Sequence, residues 1–390
     1  MLKATRAREG ERRAVSGHRL ILTVLLGVAV LAVSATGRTD DGNHNENRGA
    51  LWVANSGGPN VLEFSSFQFN RIGSFSSSPH RFNSSGNFVS PQDTVFDRAG
   101  NLWVVDGGNT TNMTGQGVFE FTRTQINQLL STPNPTPVFA ITNYQNQPGF
   151  VFPQFAVFDR AGDLFIEDTG GNTIDAYSAQ QLLLFNGKGL KPACVFTSMA
   201  FNGPLGAIFD TANNLFVAQN GDTTIVRINA KDLNLINPAC NKGPVSLTPE
   251  VILSSNTSTP PSINGPWGLA FAKNGNLWVS NEQNVAPHKS GTGTIVVFAA
   301  SAITKTGTPT PLVTLFTNTL NGHDTIDDPQ GISFNSLGDL AVANDADNTI
   351  AGFDHTQLGK SGNPIPRVFF AGTNTMLNAP TGLIFGPNVR

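Results

Sequence analysis

The stretch Phe96-Asp-Arg-Ala-Gly-Asn-Leu102-Trp-Val104 returns as Phe158-Asp-Arg-Ala-Gly-Asp-Leu164-Phe-Ile166, with the same six-residue step from Phe to Leu. Three further copies lie at 209–217, 271–279 and 334–342. A sixth Leu, Leu51, lacks the preceding Phe, and the missing part stands at the other end of the chain as Gly-Leu-Ile-Phe at 382–385. The six Leu positions are 51 to 63 residues apart. The chain is therefore built from a long internal repeat.

Each repeat contains four short apolar runs separated by turn residues. A Pro stands five residues before each Phe, a second run begins at each Leu, and two more runs follow. Period-2 patterning between Gly, Asn and Asp turns predicts four antiparallel strands. Six such sheets predict an all-β fold, a six-bladed β-propeller of four-stranded antiparallel blades. We expect the C-terminal strand around Leu383 to complete the blade begun by Leu51 and so close the ring.

The composition limits the classes of protein that need to be considered. The 390 residues are 39% hydrophobic and 13% charged, with 28 Phe against 4 Trp and 2 Tyr. So many apolar rings suit a large packed core and exclude an intrinsically disordered chain. With 24 basic and 27 acidic residues, the formal net charge of −3 also argues against nucleic acid as a partner.

The first residues have the pattern of a targeting segment. Basic residues precede an apolar run from Leu20 to Val33, which small residues follow. This order predicts a secretory signal peptide over residues 1–35, with an uncleaved N-terminal anchor as the alternative. We expect a flexible lead-in over 36–48 and the propeller over 49–390. The expected location is therefore secreted, periplasmic or in the cell envelope, with membrane contact only through an uncleaved N-terminal segment.

The chain has two cysteines, Cys194 and Cys240, each in a Pro-Ala-Cys sequence. One lies in a predicted outer strand and the other in a long loop. An exported chain meets oxidising conditions, which favours a disulfide between them. Two separate thiols in neighbouring loops are the alternative.

The residues around each repeated Pro are the candidates for a ligand site, because inner strands of a propeller open at one mouth of its channel. Polar and aromatic residues follow the Pro, and these are the candidate ligand-binding residues: Gln92, Asp93, Gln154, Trp267, Gln330 and Thr381. Oxygen-bearing residues precede it, and these could hold Ca²⁺ or another divalent metal: Asn202, Asn264, Asp327 and Asn378. The alternative for the second set is turn formation, which Asn-Gly-Pro and Asp-Asp-Pro favour.

Two further groups of residues are singled out by their positions. Four residues after each Leu stands a polar side chain that we expect to shape a hairpin turn: Asn55, Asp106, Asp168, Gln219, Asn281 and Asn344. His323 and Asp324 lie near the predicted mouth, where they could form a general base with an orienting carboxylate. A solvated surface histidine is the alternative.

The repeated phrase resembles that of the NHL-repeat and gluconolactonase-like (TolB-like) six-bladed propellers over residues 49–390. The resemblance implies a divalent metal held at the channel by a Glu, an Asn and an Asp, which would activate a water for lactone hydrolysis. Asn202 or Asn264 could match the Asn, and Asp327 or Asp324 the Asp, whereas the Glu has no counterpart beside a Pro in the first blade.

The sequence thus supports two hypotheses of function. The first is an exported propeller that binds a protein, a glycan or a small molecule through the loops at its channel mouth. The alternative is a metal-dependent lactonase-type hydrolase or lyase. The regular repeats and the incomplete metal set favour the binding protein.

Overall fold

The computed structural model describes residues 49–70, 73–109, 111, 114–142, 149–184, 190–257, 260–282 and 293–389. The predicted signal segment and lead-in lie outside these residues. No helix in the described ranges has the length and hydropathy needed to cross a membrane.

The described residues form a six-bladed β-propeller, as the repeat predicts. Each blade is an antiparallel sheet whose strands, from the innermost outward, have the following bounds. Blade 1 contains Pro380–Gly386, Ala50–Asn55, Asn60–Phe64 and His80–Phe82, and blade 2 contains Pro91–Phe96, Leu102–Asp106, Gly117–Phe121 and Phe139–Thr142. Blade 3 contains Pro153–Phe158, Leu164–Asp168, Thr173–Tyr177 and Cys194–Thr197, and blade 4 contains Pro204–Phe209, Leu215–Gln219, Thr224–Ile228 and Val251–Ser254. Blade 5 contains Pro266–Phe271, Leu277–Asn281, Thr294–Phe298 and Val313–Phe316, and blade 6 contains Pro329–Phe334, Leu340–Asn344, Thr349–Phe353 and Val368–Phe370.

The remaining elements are short and lie in the connections. There are three α-helices of five or six residues, Ser66–Asn70, Arg123–Asn127 and Ala179–Leu184. The 3₁₀ turns are Ser84–Gly86, Ala230–Asp232, Pro238–Lys242, His355–Gln357 and Thr373–Thr375. A small hairpin pairs Thr319–Leu320 with His323–Asp324.

The chain closes the ring by sharing blade 1 between its two ends. The C-terminal strand pairs antiparallel with the first described strand, with Leu51 opposite Phe385 and Val53 opposite Leu383. The indole N–H of Trp52 also donates to the carbonyl of Pro387 at 2.9 Å. The predicted closure is confirmed.

Aromatic rings lock each blade to the next. The Phe that ends an inner strand packs edge-on against an aromatic residue in the second strand of the preceding blade. This contact recurs in five T-shaped pairs: Trp52–Phe96, Trp103–Phe158, Phe165–Phe209, Phe216–Phe271 and Trp278–Phe334. The repeated Phe and the aromatic residue that follows five of the six Leu therefore have one packing role, since such pairs contribute beyond the area that they bury.

Outer edges are covered by segments from the next blade, which the sequence does not predict. Val245–Ser246 adds a short parallel strand to blade 3, and Gly73–Phe75 adds one to blade 6. Blades 3 and 6 therefore have five strands rather than the predicted four. The disulfide belongs to the same arrangement, because it joins Cys194 of the blade 3 outer strand to Cys240 in the blade 4 connection, with the Cα atoms 4.8 Å apart. Covering an unpaired edge removes a site for aggregation.

The two faces of the propeller differ in their loops, and we name them from the direction of the inner strands. The entry face carries the loops that lead into each inner strand and the hairpins between second and third strands. The exit face carries the turns between inner and second strands and the connections between third and fourth strands. The predicted ligand and metal residues all belong to the entry face.

Candidate functional site

A clamp in every blade fixes the loop that enters the inner strand. The carboxylate of Asp106 accepts the amide N–H groups of Val89 and Ser90 at 2.8 and 3.0 Å, and Asp168 accepts the equivalent pair at 2.8 and 2.6 Å. In the other blades a side-chain oxygen accepts one loop amide, in the pairs Gln219–Asn202, Asn281–Asn264, Asn344–Asp327 and Asn55–Asn378. The structural role predicted for this ring of side chains is confirmed. In blades 2 to 6 each member holds a loop amide that lies about 17 positions away, and several members also bond within their hairpins, as Asp106 does to the Gly108 amide.

The four predicted metal residues are thus each tied to their own blade. Asn202, Asn264, Asp327 and Asn378 lie on blades 4, 5, 6 and 1, and their amides are the ones held by the clamps. Asn202 and Asn378 are exposed, and the side chain of Asn378 donates to the carbonyl of Gly57 at 2.5 Å. These contacts are the ones expected of turn-forming residues.

Within the described ranges, one cluster of three ionisable side chains has its ligand atoms within 4.8 Å of one another, and it lies on the exit face: Asp339, Asp354 and His355. The Nδ1 of His355 is 3.0 Å from Asp339 Oδ1. Asp354, however, accepts the Thr356 amide and hydroxyl and also the Arg367 guanidinium, and the Thr356 bonds lower its pKa to about 2. Because its oxygens cap a 3₁₀ turn, this cluster has a structural role.

The predicted ligand residues differ in whether the fold already uses their polar atoms. Gln92 and Thr381 are used within the fold, because Gln92 Nε2 donates to Ser90 and Thr381 Oγ1 donates to the Gln92 carbonyl at 2.7 Å. Trp267 Nε1 and Gln330 Oε1 are buried atoms with no hydrogen-bond partner among the described residues. Gln154 is 6% exposed. A buried polar atom without a hydrogen-bond partner lowers the stability of the fold. Of the predicted ligand residues, Trp267 and Gln330 are therefore the ones whose free polar atoms favour a ligand.

Asp93 occupies a position where four other blades have glycine. The inner strands approach so closely there that a Cβ on Gly268 would lie 2.4 Å from the Gln330 carbonyl oxygen. The Asp93 carboxylate accepts the amide of Ala156 at 3.2 Å and lines a channel cavity of about 280 Å³ that is otherwise mostly apolar. Burial raises the pKa of Asp93 to about 8. The channel wall therefore holds a carboxyl group that is largely neutral at pH 7.

Glu167 is a second buried acid near this wall, and we did not predict it from the sequence. It is fully buried in the second strand of blade 3, and neither carboxylate oxygen bonds to another described residue. Burial raises the pKa of Glu167 well above its usual range, and the nearby Asp93 carboxylate adds to the effect. The available signal was an acidic residue inside the apolar run Leu164-Phe-Ile-Glu-Asp168.

Carboxylates gather on the entry face of blades 5 and 6, in a group that we call the acidic sector: Glu282, Asp324, Asp327, Asp328, Asp345 and Asp347. Asp328 shares a side-chain hydrogen bond with Glu282. Burial, with repulsion from Glu282, Asp345 and Asp327, raises the pKa of Asp328 to about 8. Asp324 and Asp327 are predicted from the sequence, whereas the Glu282–Asp328 contact, which joins two blades, is not.

His323 lies away from the channel, at the periphery of blade 6. Its ring packs 6.2 Å from that of Phe369 in the outer strand, and its Nδ1 is 3.5 Å from Asp347 Oδ1. Asp324 uses its amide to donate to Asp347 at 2.6 Å and its carboxylate to accept from Thr319. The carboxylate facing the histidine is therefore Asp347 rather than the predicted Asp324.

Comparisons with known proteins establish the fold alone. No family model matches the chain, and no curated protein matches it. Among solved structures, a protein of unknown function from Bacteroides caccae is 11% identical, with a TM-score of 0.52 over 87% of this chain and 100% of its own. A proposed 6-phosphogluconolactonase from Bacteroides fragilis is 14% identical, with a TM-score of 0.48 over 88% and 99%. A virginiamycin B lyase from Staphylococcus aureus is 14% identical, with a TM-score of 0.42 over 80% and 82%. The similarity to the Bacteroides caccae protein is one of fold.

Proposed function

We propose that the protein is a binding platform that recognises a cationic ligand or partner through the acidic sector of its entry face. One observation carries the proposal. The described loops of this face contain the six carboxylates of the acidic sector and Asp222 but no Lys or Arg. Carboxylates gathered on one face focus a negative potential that attracts and orients cations.

The contact between Glu282 and Asp328 supports the proposal. Burial, together with repulsion from Glu282 and the neighbouring aspartates, raises the pKa of Asp328 to about 8, so this carboxyl keeps a proton that water would otherwise remove. A bound cation would relieve that repulsion and release the proton. Affinity for a cation should therefore rise as the pH increases towards 8.

Titration with a hexalysine peptide at low ionic strength tests this function. We expect saturable binding that weakens with added salt, and at least about tenfold weaker binding for the double variant Glu282→Gln/Asp328→Asn. Asp222→Asn is the matched control, because it removes one carboxylate from blade 4 on the same face. Equal losses in both variants, or no saturable binding to the unmodified chain, would rule the proposal out.

The alternative is a metal-dependent hydrolase of the lactonase type, in which the same carboxylates would bind the metal. Oxygen ligands from two blades are the donors that Ca²⁺ prefers. Metal analysis with and without a chelator separates the two functions. A stoichiometric metal, together with lactone turnover that Asp327→Ala abolishes, would favour the hydrolase, whereas hexalysine binding without turnover would favour the platform.

We also propose that the protein is exported, on the basis of its N-terminal pattern. The disulfide supports this, since such bonds persist in oxidising compartments. Mass analysis of the mature protein tests it. Loss of about 35 residues would show a cleaved signal peptide, and an intact N-terminus in the membrane fraction would show the anchor.

A further inference from the structure

A cavity of about 760 Å³ opens on the exit face of blades 2 to 5. Three half-buried rings, Phe158, Phe209 and Phe271, contribute to its wall, and each is the last residue of an inner strand. Four basic side chains also line it: Arg98, Arg160, Arg227 and Lys273. We call this cavity the exit funnel. Its size lies within the range of small-molecule sites.

Two of the basic side chains, Arg98 and Arg160, are not needed to form the turns that carry them. Arg98 and Arg160 each occupy the second position of a turn between inner and second strands. Thr211 and Ser336 stand at the same position in blades 4 and 6. All four turns close with the same backbone hydrogen bond, at 3.1, 2.9, 2.9 and 3.0 Å in blades 2, 3, 4 and 6. The turn itself therefore does not explain the arginines.

The two carboxylates that line the exit funnel are bonded within their own turns. The Oδ1 of Asp159 accepts the amide N–H groups two and four residues further on, at 2.7 and 2.9 Å. The Oδ1 of Asp210 accepts the equivalent pair at 2.8 and 2.9 Å. Neither carboxylate pairs with Arg98 or Arg160. The exit funnel thus has four basic and two acidic side chains, in a chain whose formal net charge is −3.

Arg227 adds a polar atom that lacks an acceptor. Its side chain is 13% exposed, its Nη2 is paired with Glu250, and its guanidinium lies 6.0 Å from the centre of the Phe216 ring. The Nε–H is buried and has no hydrogen-bond acceptor among the described residues. An unmet donor in the wall of a cavity favours a ligand that carries an acceptor.

We propose that the exit funnel binds a small organic anion with a flat apolar body. Its carboxylate, sulfonate or phosphate group would meet the guanidinium groups, which bind such planar or multidentate anions well. Its apolar body would lie against the phenylalanine rings of the wall. This site is on the opposite face from the acidic sector and does not depend on the function proposed there.

Calorimetric titration with naphthalene-2-sulfonate tests the site on the full propeller. We expect one saturable site, at least about tenfold weaker binding in Arg98→Gln/Arg160→Gln, and a further weakening with salt. Lys360→Gln is the matched control, because Lys360 is an exposed base on the exit face of blade 6 outside the funnel. We expect its effect to be less than twofold. The neutral analogue 2-naphthylmethanol separates charge recognition from apolar contact.

Three results would overturn the proposal. They are the absence of saturable binding to the unmodified chain, an equal loss in the Lys360→Gln control, and equal affinity for the neutral analogue. Thermal unfolding of each variant shows whether it is folded. Because Arg98 and Arg160 are exposed and outside the turn hydrogen bonds, we expect their replacement to leave the melting temperature unchanged.

Discussion

At the scale of single residues, the close approach of the inner strands around the propeller axis depends on glycines, which have no side chain. Gly206, Gly268, Gly331 and Gly382 occupy one level of the inner strands, where the nearest backbone atom of the neighbouring strand would lie 2.2–2.6 Å from an added Cβ. Asp93 stands at this level in blade 2. Because the strands are closest at this level, the side chain of Asp93 is buried there.

Gly268→Ala should destabilise the fold by about 1–3 kcal/mol, because the new Cβ would meet the backbone of blade 6 rather than a flexible side chain. Gly359→Ala is the control, since nothing lies within 4 Å of its Cβ. We expect that change to alter the free energy of unfolding by less than about 0.5 kcal/mol. Urea unfolding of both variants measures the difference, and similar losses would contradict the close approach.

Asp93 should make the protein less stable as the pH rises. Its pKa is about 8 in the folded protein against an ordinary value of 3.8, so between these values the folded state binds more protons than the unfolded state. The free energy of unfolding then falls with increasing pH, by up to about 1.4 kcal/mol per unit for one group. Glu167 acts in the same direction.

Asp93→Asn should therefore flatten the fall in melting temperature between pH 5 and pH 9, while the unmodified protein loses several degrees over that range. The variant keeps an oxygen for the Ala156 amide, so the comparison isolates the charge. Parallel melting curves for the two proteins at every pH would show that Asp93 is not the group responsible.

At the scale of elements, the connections between third and fourth strands reach across to the preceding blade. They supply the added strands of blades 3 and 6 and the isolated bridges Leu253–Gly307 and Leu315–Gly362. The Cys194–Cys240 bond makes one of these contacts covalent. Each connection therefore protects an edge as well as linking two strands.

Reduction of this disulfide should lower the free energy of unfolding by about 2–4 kcal/mol, because it closes a loop with a sequence separation of 46. Melting curves with and without a reductant measure the effect. The double variant Cys194→Ala/Cys240→Ala should match the reduced protein and show no response to reductant. A continued response in that variant would assign the effect to something other than the bond.

At the scale of the whole molecule, the fold depends on closure of the ring, and the proposed ligand sites depend on where the charged side chains lie on its two faces. Blade 1 takes its inner strand from the C-terminus, so residues 380–386 bury part of the strand that begins at Ala50. The described entry-face loops carry carboxylates without Lys or Arg, whereas the exit funnel carries the basic cluster. This arrangement underlies our two proposals, a cationic ligand at the acidic sector and an organic anion in the exit funnel.

Deletion of residues 380–390 should prevent folding, because it leaves blade 1 without its inner strand and exposes Leu51 and Val53. A circular permutant that starts at Thr373 and links residue 389 to Gly49 keeps the strand and should fold. Circular dichroism and thermal unfolding compare the two. A cooperatively unfolding truncated protein would contradict closure by the C-terminal strand.

The repeat alone determined the six blades, the strand order and the closure by Leu383, because a strand pattern repeated at nearly constant spacing has few ways to bury its apolar faces. The tertiary structure decided which side chains meet. The clamps pair residues about 17 positions apart in blades 2 to 6 and residues from the two ends of the chain in blade 1. Glu282 meets Asp328 across two blades, and His323 packs on an outer strand. Such contacts depend on how loops and neighbouring blades pack, and a local pattern carries no information on that packing.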